Sequence, residues 1–261
     1  MKLKYTVNAI NGASSEGHID VLNWWLFSGL ELKYTTSAIN FASSHGKYEI
    51  LDWWLSSGLE LKYDAYAINA LSDDDDVKIL TLWLQSGLEL MYTEKAINSA
   101  SGSDCVKILE WWLQSGLELK YSEKAIDLAS RQGCVNALNW WLQSGLELKY
   151  TEKAIDGASK CGHDDVLNWW LASGLELKYT ERAMDSVSKT GNLYILKWWL
   201  RSGLPLKYTE QSICGPNFNV GVLEWWVGSG LELCYTTNSI ENVKRKGGEY
   251  LDMWKKLNLP V

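Results

Sequence analysis

Apolar and polar positions along this chain recur with a fixed period. The segment SGLELKY, or a close variant, ends at Tyr34, Tyr63, Tyr92, Tyr121, Tyr150, Tyr179, Tyr208 and Tyr235. Every interval is 29 residues except the last, which is 27. Tyr5 extends the series one period upstream. The chain therefore reads as nine repeats starting near residues 5, 34, 63, 92, 121, 150, 179, 208 and 235, the eighth two residues short near Pro216. Self-similarity at a fixed period marks an architecture in which each unit is covered by its neighbour.

One repeat, YTEKAIDLASRQGCVNALNWWLQSGLELK (Tyr121 to Lys149), predicts two helices. Ser122, and Thr93, Thr151, Thr180 and Thr209 in its column, stand where an N-cap belongs, followed by Glu94, Glu123, Glu152, Glu181 and Glu210 in the first turn. Such residues satisfy open amides and suit the positive end of the helix dipole. A short helix apolar at Ala125, Ile126 and Ala129 then meets a glycine (Gly17, Gly46, Gly133, Gly162, Gly191), the usual left-handed terminator. The second helix carries Val135, Leu138, Trp140, Trp141 and Leu142, a wide apolar stripe, and ends at Ser144-Gly145. Neither helix can bury its face alone, so the repeats must stack. The expectation is an all-α solenoid forming a single domain over residues 1–261. A leucine-rich repeat has a compatible period, with Leu-Glu-Leu as a strand. However, Lys-Tyr-Thr-Glu-Lys follows it and opens a helix instead.

Composition narrows the function. The net charge is −7, which argues against a nucleic-acid binder and against docking on anionic lipid. No apolar run approaches the ~20 residues of a membrane span. The opening MKLKYTVNAI has no signal-peptide core, so a cytoplasmic, non-secreted protein is expected. The five cysteines, Cys105, Cys134, Cys161, Cys214 and Cys234, form no CxxC pair and read as free thiols of a reducing compartment.

The 16 tryptophans all lie in one doublet column of the second helix, against three phenylalanines in the whole chain. They read as core rather than as a stacking groove, which usually comes with a basic channel absent here. His18, His45 and His163 sit at turns of three separate repeats, too scattered for a zinc site or a nucleophile–base pair. Glu-x-Lys tails such as Glu31 and Lys33 read as solubility and register, since surface pairs contribute little. Phosphate loops, paired catalytic carboxylates and Ser/His/Asp sets do not appear. No enzyme, cofactor or metal site is expected.

The repeat resembles the ankyrin repeat. KAIDLASRQGCVNALNWWLQSGLELK (Lys124 to Lys149) follows the ankyrin frame without a gap, and Gly17-His18 and Gly162-His163 keep its Gly-His step. Two features depart from it. The period is four residues shorter than ankyrin's, the loss falling where ankyrin places its β-hairpin finger, and Lys-Ala-Ile-Asp replaces Thr-Pro-Leu-His. The Trp-Trp version looks like the ankyrin-like repeats of giant viruses of amoebae. The resemblance implies a non-enzymatic protein–protein interaction scaffold with a concave binding surface and shortened fingers. By the same likeness it implies a viral protein acting in host cytoplasm, as a ubiquitin-ligase adaptor, a host-factor sequestrant or a structural component. No F-box-like segment occurs in the sequence, so adaptor activity would need another chain.

Columns that repeat should face the core and columns that vary should face solvent. The most variable first-helix column runs Gly12, Phe41, Ala70, Ser99, Leu128, Gly157, Ser186, Gly215 and Asn242. The residues before the inter-helix glycine also vary: Ser15-Glu16, Ser44-His45, Arg131-Gln132, Lys160-Cys161 and Lys189-Thr190. Ankyrin-like stacks present both regions on the concave side, so Phe41, His45, Leu128, Arg131, Gln132, Lys160 and Lys189 are candidate partner contacts. Asp73, Asp74, Asp75 and Asp76 replace the glycine turn of the third repeat. With Asp104 they form an acidic knob, read as a solvated turn or a dock for a basic partner. The last repeat, with Lys244, Arg245, Lys246, Lys255 and Lys256, reads as a polar cap. The first has Val7 where Glu is usual and Phe27 in an exposed column. That end is expected to dock a second copy or a partner, the alternative being a component of a self-associating assembly or viral particle.

Overall fold

The structure, a computed structural model, describes residues 4–214 and 220–259. Side chains are described for all of these except Asp74, Cys214 and Lys246. The shortened turn at Pro216 and the Gly215 position of the variable column lie outside the described residues, as do the side chains of Asp74 in the acidic run and Lys246 in the polar cap. The architecture is all-α, with no strand among the described residues. The Leu-Glu-Leu segment is not a strand, which removes the leucine-rich alternative. The chain divides into two compact units, Met1–Ala125 and Ile126–Val261. Each is a solenoid of paired antiparallel helices, such as Thr36–Ser44 with Tyr48–Ser56 in the first and Lys153–Cys161 with Asp164–Ala172 in the second.

Local chemistry draws each boundary. Thr151 Oγ1 accepts from the Lys153 amide at 3.2 Å, and Thr180 Oγ1 from Arg182 at 3.2 Å, so the hydroxyl satisfies the first helical amide from one residue outside the N-cap position, which Glu152 and Glu181 occupy without a side-chain bond. Gly17, Gly46, Gly133, Gly162 and Gly191 all have φ between 63° and 89°. The fourth repeat achieves the same turn with Asp104 at φ 60°. The third instead makes a 3₁₀ turn, Asp74–Asp76. The second helix closes on serine: Ser173 Oγ donates to the Trp170 carbonyl at 2.8 Å and accepts from the Leu175 amide at 3.2 Å.

The core is built on one column of indoles, with the serines that accept from them and the tyrosines that pack on them. The second tryptophan of each doublet is the buried one. Trp54, Trp83, Trp112, Trp141, Trp170, Trp199, Trp226 and Trp254 are all 0–2% exposed. Its indole N–H reaches back to a serine on the first helix of the preceding repeat: Trp54 to Ser14 (3.0 Å), Trp83 to Ser43 (2.9 Å), Trp170 to Ser130 (3.1 Å) and Trp199 to Ser159 (3.1 Å). The repeat's own tyrosine packs on it, as Tyr34 on Trp54 with centroids 4.8 Å apart and Tyr179 on Trp199 at 4.9 Å. The Tyr34 hydroxyl then donates to the Glu60 carbonyl (2.9 Å), tying the start of the repeat to its tail.

The first tryptophan of the doublet departs from expectation. Trp53, Trp111, Trp169 and Trp198 are only partly buried and Trp24 is 55% exposed. Core residues cluster about one direction of the helix, and a residue one step before the buried indole is rotated about 100° from it. That column therefore lies on the flank and spans to the preceding second helix. Trp53 Nε1 donates to Asn23 Oδ1 and Trp198 Nε1 to Asn168 Oδ1, both at 2.8 Å.

The tail lysines also do more than keep the surface soluble. Lys120 sits 4.5 Å from the Tyr92 ring centroid while lying 3.8 Å from Glu118. Lys207 sits 4.4 Å over Tyr179. The resulting Lys–Tyr–Trp stack, as in Lys120, Tyr92 and Trp112, closes the end of the repeat.

Candidate functional site

A surface available to a partner is what the stack does not use for itself, and one further column is used in this way. Asn11, Asn40, Asn69 and Asn98 are followed in later repeats by Asp127, Asp156 and Asp185. Each side-chain oxygen accepts from the backbone amide that starts the next repeat. Within the first unit Thr35 N lies 3.1 Å from Asn11 and Thr93 N 2.9 Å from Asn69; in the second, Thr180 N lies 2.9 Å from Asp156 and Thr209 N 2.9 Å from Asp185. The threonine hydroxyl switches role with its partner. It accepts from the Asn11 amide at 2.8 Å but donates to Asp156 at 2.5 Å and to Asp185 at 2.6 Å. A hydroxyl can do either, which is why Asn and Asp interchange here. Sequence reasoning marks this position only as a departure from the ankyrin motif. An Asn/Asp column running through the first seven repeats beside an apolar one is the signal that could have found it.

Burial pushes the Asp156 and Asp185 carboxyls above the ordinary 3.8, against the lowering pull of the Thr180 and Thr209 hydrogen bonds. A folded value above the unfolded one means folding takes up protons between the two. The contribution to stability is therefore largest at low pH and is lost as pH rises through the raised value. Replacing both residues by asparagine, the choice of the first four repeats, is expected to raise Tm by a few degrees at neutral pH. Thermal melts should show the gain shrinking as pH falls toward 3.8; a constant gain would refute this.

The sequence-predicted contact residues of the second unit lie together on its first-helix face. Arg131, Gln132, Lys160 and Lys189 are exposed at the carboxyl ends of successive first helices, and Leu128 is partly exposed beside them. Arg131 lies across Gly157: a Cβ there would be 3.1 Å from the Arg131 Cβ, so the missing side chain makes room for the arginine stem. The cations also favour the negative helix ends. Cys161 in the same region is a free thiol.

The first unit offers a different surface. Phe41 and His45 are exposed on helix Thr36–Ser44 and its cap, their rings 5.8 Å apart, with His45 Nδ1 donating to the Phe41 carbonyl at 2.9 Å. Of the acidic run, Asp73 and Asp75 are exposed but Asp76 is not. Its carboxylate turns inward and accepts from the Ser72 and Asp73 amides, both at 2.9 Å, closing a capping box. Asp76 is therefore no part of the exposed acidic knob expected of the run and Asp104. With no glycine at this turn, one carboxylate is spent on satisfying backbone donors. Asp104 is half-buried at its left-handed turn. Nearby, the Cys105 thiol donates to the Ser72 carbonyl at 2.6 Å.

Phe27 is 82% exposed, and with Ile19, Val21 and Trp24 it leaves helix Ile19–Phe27 bare on its outer side. Val7 provides no cap, although Thr6 Oγ1 accepts from the Asn8 amide at 3.3 Å. Lys244, Arg245, Lys255 and Lys256 are exposed in the last repeat. A shallow cleft of about 320 Å³ on the second-helix side is lined by Leu171, Tyr194, Trp198 and Arg201. The Tyr194 hydroxyl there donates to Asp164 at 2.9 Å. Among the described residues no three His, Cys, Asp or Glu side chains gather as a metal would need, and no helix is long and apolar enough to cross a membrane.

No protein-family model matches this sequence, and no curated protein matches it as a relative. In structure the chain is similar to the ankyrin repeat domain of human ASB11, with a TM-score of 0.45 and 13% sequence identity. The comparison covers 80% of this chain and 98% of that one.

Proposed function

We propose that the chain is a non-enzymatic protein-binding scaffold of ankyrin-like repeats, and that its partner lies along the first-helix face. One observation carries this reading. The repeated tryptophan, serine, Asn/Asp and threonine columns are consumed in holding neighbours together, whereas the varying residues just before the inter-helix turn, among them Arg131, Gln132, Lys160 and Lys189, are exposed. Variation placed on a regular, rigid frame is how a stacked repeat writes specificity without disturbing its core. For a viral chain of this kind the partner is a host protein met in the cytoplasm.

A second reading, a component of a self-associating assembly, is favoured by the bare apolar side of helix Ile19–Phe27. One set of samples separates the two. Wild type is compared with a quadruple variant, Arg131→Ala, Gln132→Ala, Lys160→Ala and Lys189→Ala, and with a second-helix control, Asp165→Ala and Lys197→Ala. Each is used to recover partners from the native host cell and to measure affinity for the recovered partner. The scaffold reading expects at least a tenfold loss for the quadruple variant and none for the control. The reverse pattern overturns it. A light-scattering mass that climbs with concentration in wild type but stays constant in Phe27→Gln would favour the assembly.

A further inference from the structure

Within the first unit, two exposed aromatic residues meet where no other described repeat places any. Phe41 occupies a column filled in that unit by Gly12, Ala70 and Ser99; Tyr66 occupies one filled by Asn8, Ser37 and Lys95. They sit on neighbouring first helices, Thr36–Ser44 and Tyr66–Asn69, with ring centroids 6.1 Å apart and planes at 84°. Phe41 is 37% exposed and Tyr66 50% exposed. The core does not call for either ring, because the other repeats of this unit stack with small or polar residues at both positions. An edge-to-face pair occupies a face of only one of its rings, and an aromatic face that remains available attracts a cation.

The surroundings say which kind of occupant fits. The turn after His45 adjoins the acidic turn of the next repeat: a Cβ on Gly46 would lie 3.7 Å from Asp76 Oδ1. That acidic turn presents Asp73 and Asp75 to solvent. At the other end of the short helix, Asp64 is exposed and holds the Tyr66 amide at 2.8 Å. Of the cations around it, Lys95 stands one repeat on in the Tyr66 column, Lys62 pairs with Glu60 at 3.4 Å, Lys78 is exposed on helix Val77–Gln85, and a Cβ on Gly17 would meet Lys47 Cδ at 3.6 Å.

We propose that this aromatic and acidic patch docks an extended, Lys/Arg-bearing segment of a partner protein. One cation lies over the Phe41 and Tyr66 faces, and its neighbours are drawn to Asp73, Asp75 and Asp64. Charge complementarity separates this occupant from an acidic peptide, which the patch repels, and from a plain apolar helix, which leaves the carboxylates uncompensated. The proposal rests on the scaffold reading and assigns a partner chemistry to one part of that face.

The test is fluorescence anisotropy with three labelled twelve-residue-scale probes of alternating sequence: Gly-Arg/Gly-Lys, Gly-Glu and Gly-Leu. The Gly-Arg/Gly-Lys probe is expected to bind the full chain, weakening with salt. The double variant Phe41→Ser, Tyr66→Ser should weaken binding at least tenfold with the circular dichroism spectrum unchanged, since both side chains are exposed. Asp73→Asn with Asp75→Asn should weaken it and flatten the salt dependence. Undiminished binding to the Phe41/Tyr66 double variant, or preference for the Gly-Leu probe, overturns the proposal. Binding of the Gly-Glu probe alone, lost on changing Arg131, Lys160 and Lys189 to alanine, overturns it while leaving the scaffold reading intact. Failure of all three probes, with partner recovery indifferent to the quadruple variant, removes both.

Discussion

Trp199→Ala is expected to cost about 3–5 kcal/mol, while Trp198→Ala, one residue earlier, costs about 1 kcal/mol. The two rings have the same chemistry and differ only in direction. Trp199 is fully buried, packs on Tyr179 at 4.9 Å and donates to Ser159 at 3.1 Å. Its loss leaves a cavity of indole size and a buried serine without its donor. Trp198 is partly exposed, and its bond to Asn168 lies at an exposed site where water can replace it. Urea unfolding followed by circular dichroism measures both. In a stack whose repeats contact only their neighbours, the Trp199 variant should also open locally, so hydrogen exchange would accelerate around Ser159 and Trp199 before elsewhere. Equal costs for the two variants would mean the doublet is not divided into a core and a flank.

The second large effect concerns Gly162. Substitution by alanine there should cost about 2–3 kcal/mol, against about 1 kcal/mol for Gly174→Ala. Both glycines are left-handed, with φ of 85° and 74°, so both carry the backbone strain of an added Cβ. Only Gly162 is also covered: the Cβ would stand 2.8 Å from Asn192 Nδ2, whereas at Gly174 nothing lies within 4 Å. Asn192 cannot simply retreat, because its Oδ1 accepts from the Ile195 amide (3.2 Å) as the cap of helix Leu193–Arg201. The collision therefore adds a lost cap to the strain. The same melts compare the two, and matching destabilisation would show that the inter-helix glycine is chosen for its backbone alone. Gly133 tests the rule again, with the His163 ring 2.8 Å from the position of its Cβ.

Much of the candidate surface is legible in the amino-acid order. Comparing nine copies of one segment separates varying columns from constant ones, and Arg131, Lys160 and Lys189 are exposed as that comparison predicts. Asp76 escapes it because a run of four identical residues carries no internal phase. Which carboxylate turns inward depends on where the 3₁₀ turn begins, at Asp74. Tyr66 escapes it for another reason. It looks like an ordinary substitution at an exposed position until the neighbouring repeat brings Phe41 to 6.1 Å.

By itself the chain's residue order determined the period, the two helices of each repeat, their threonine caps and their glycine and serine stops. These depend on hydrogen bonds and backbone angles within a few residues, and such preferences act wherever the segment is placed. Tertiary structure decided the rest: which indole of each pair is buried, that the Asn/Asp column binds the backbone amide 24 residues on, and which exposed rings share a surface. Those outcomes depend on how one repeat is rotated and set against the next. A contact across that boundary is a property of two segments, and no single segment encodes it.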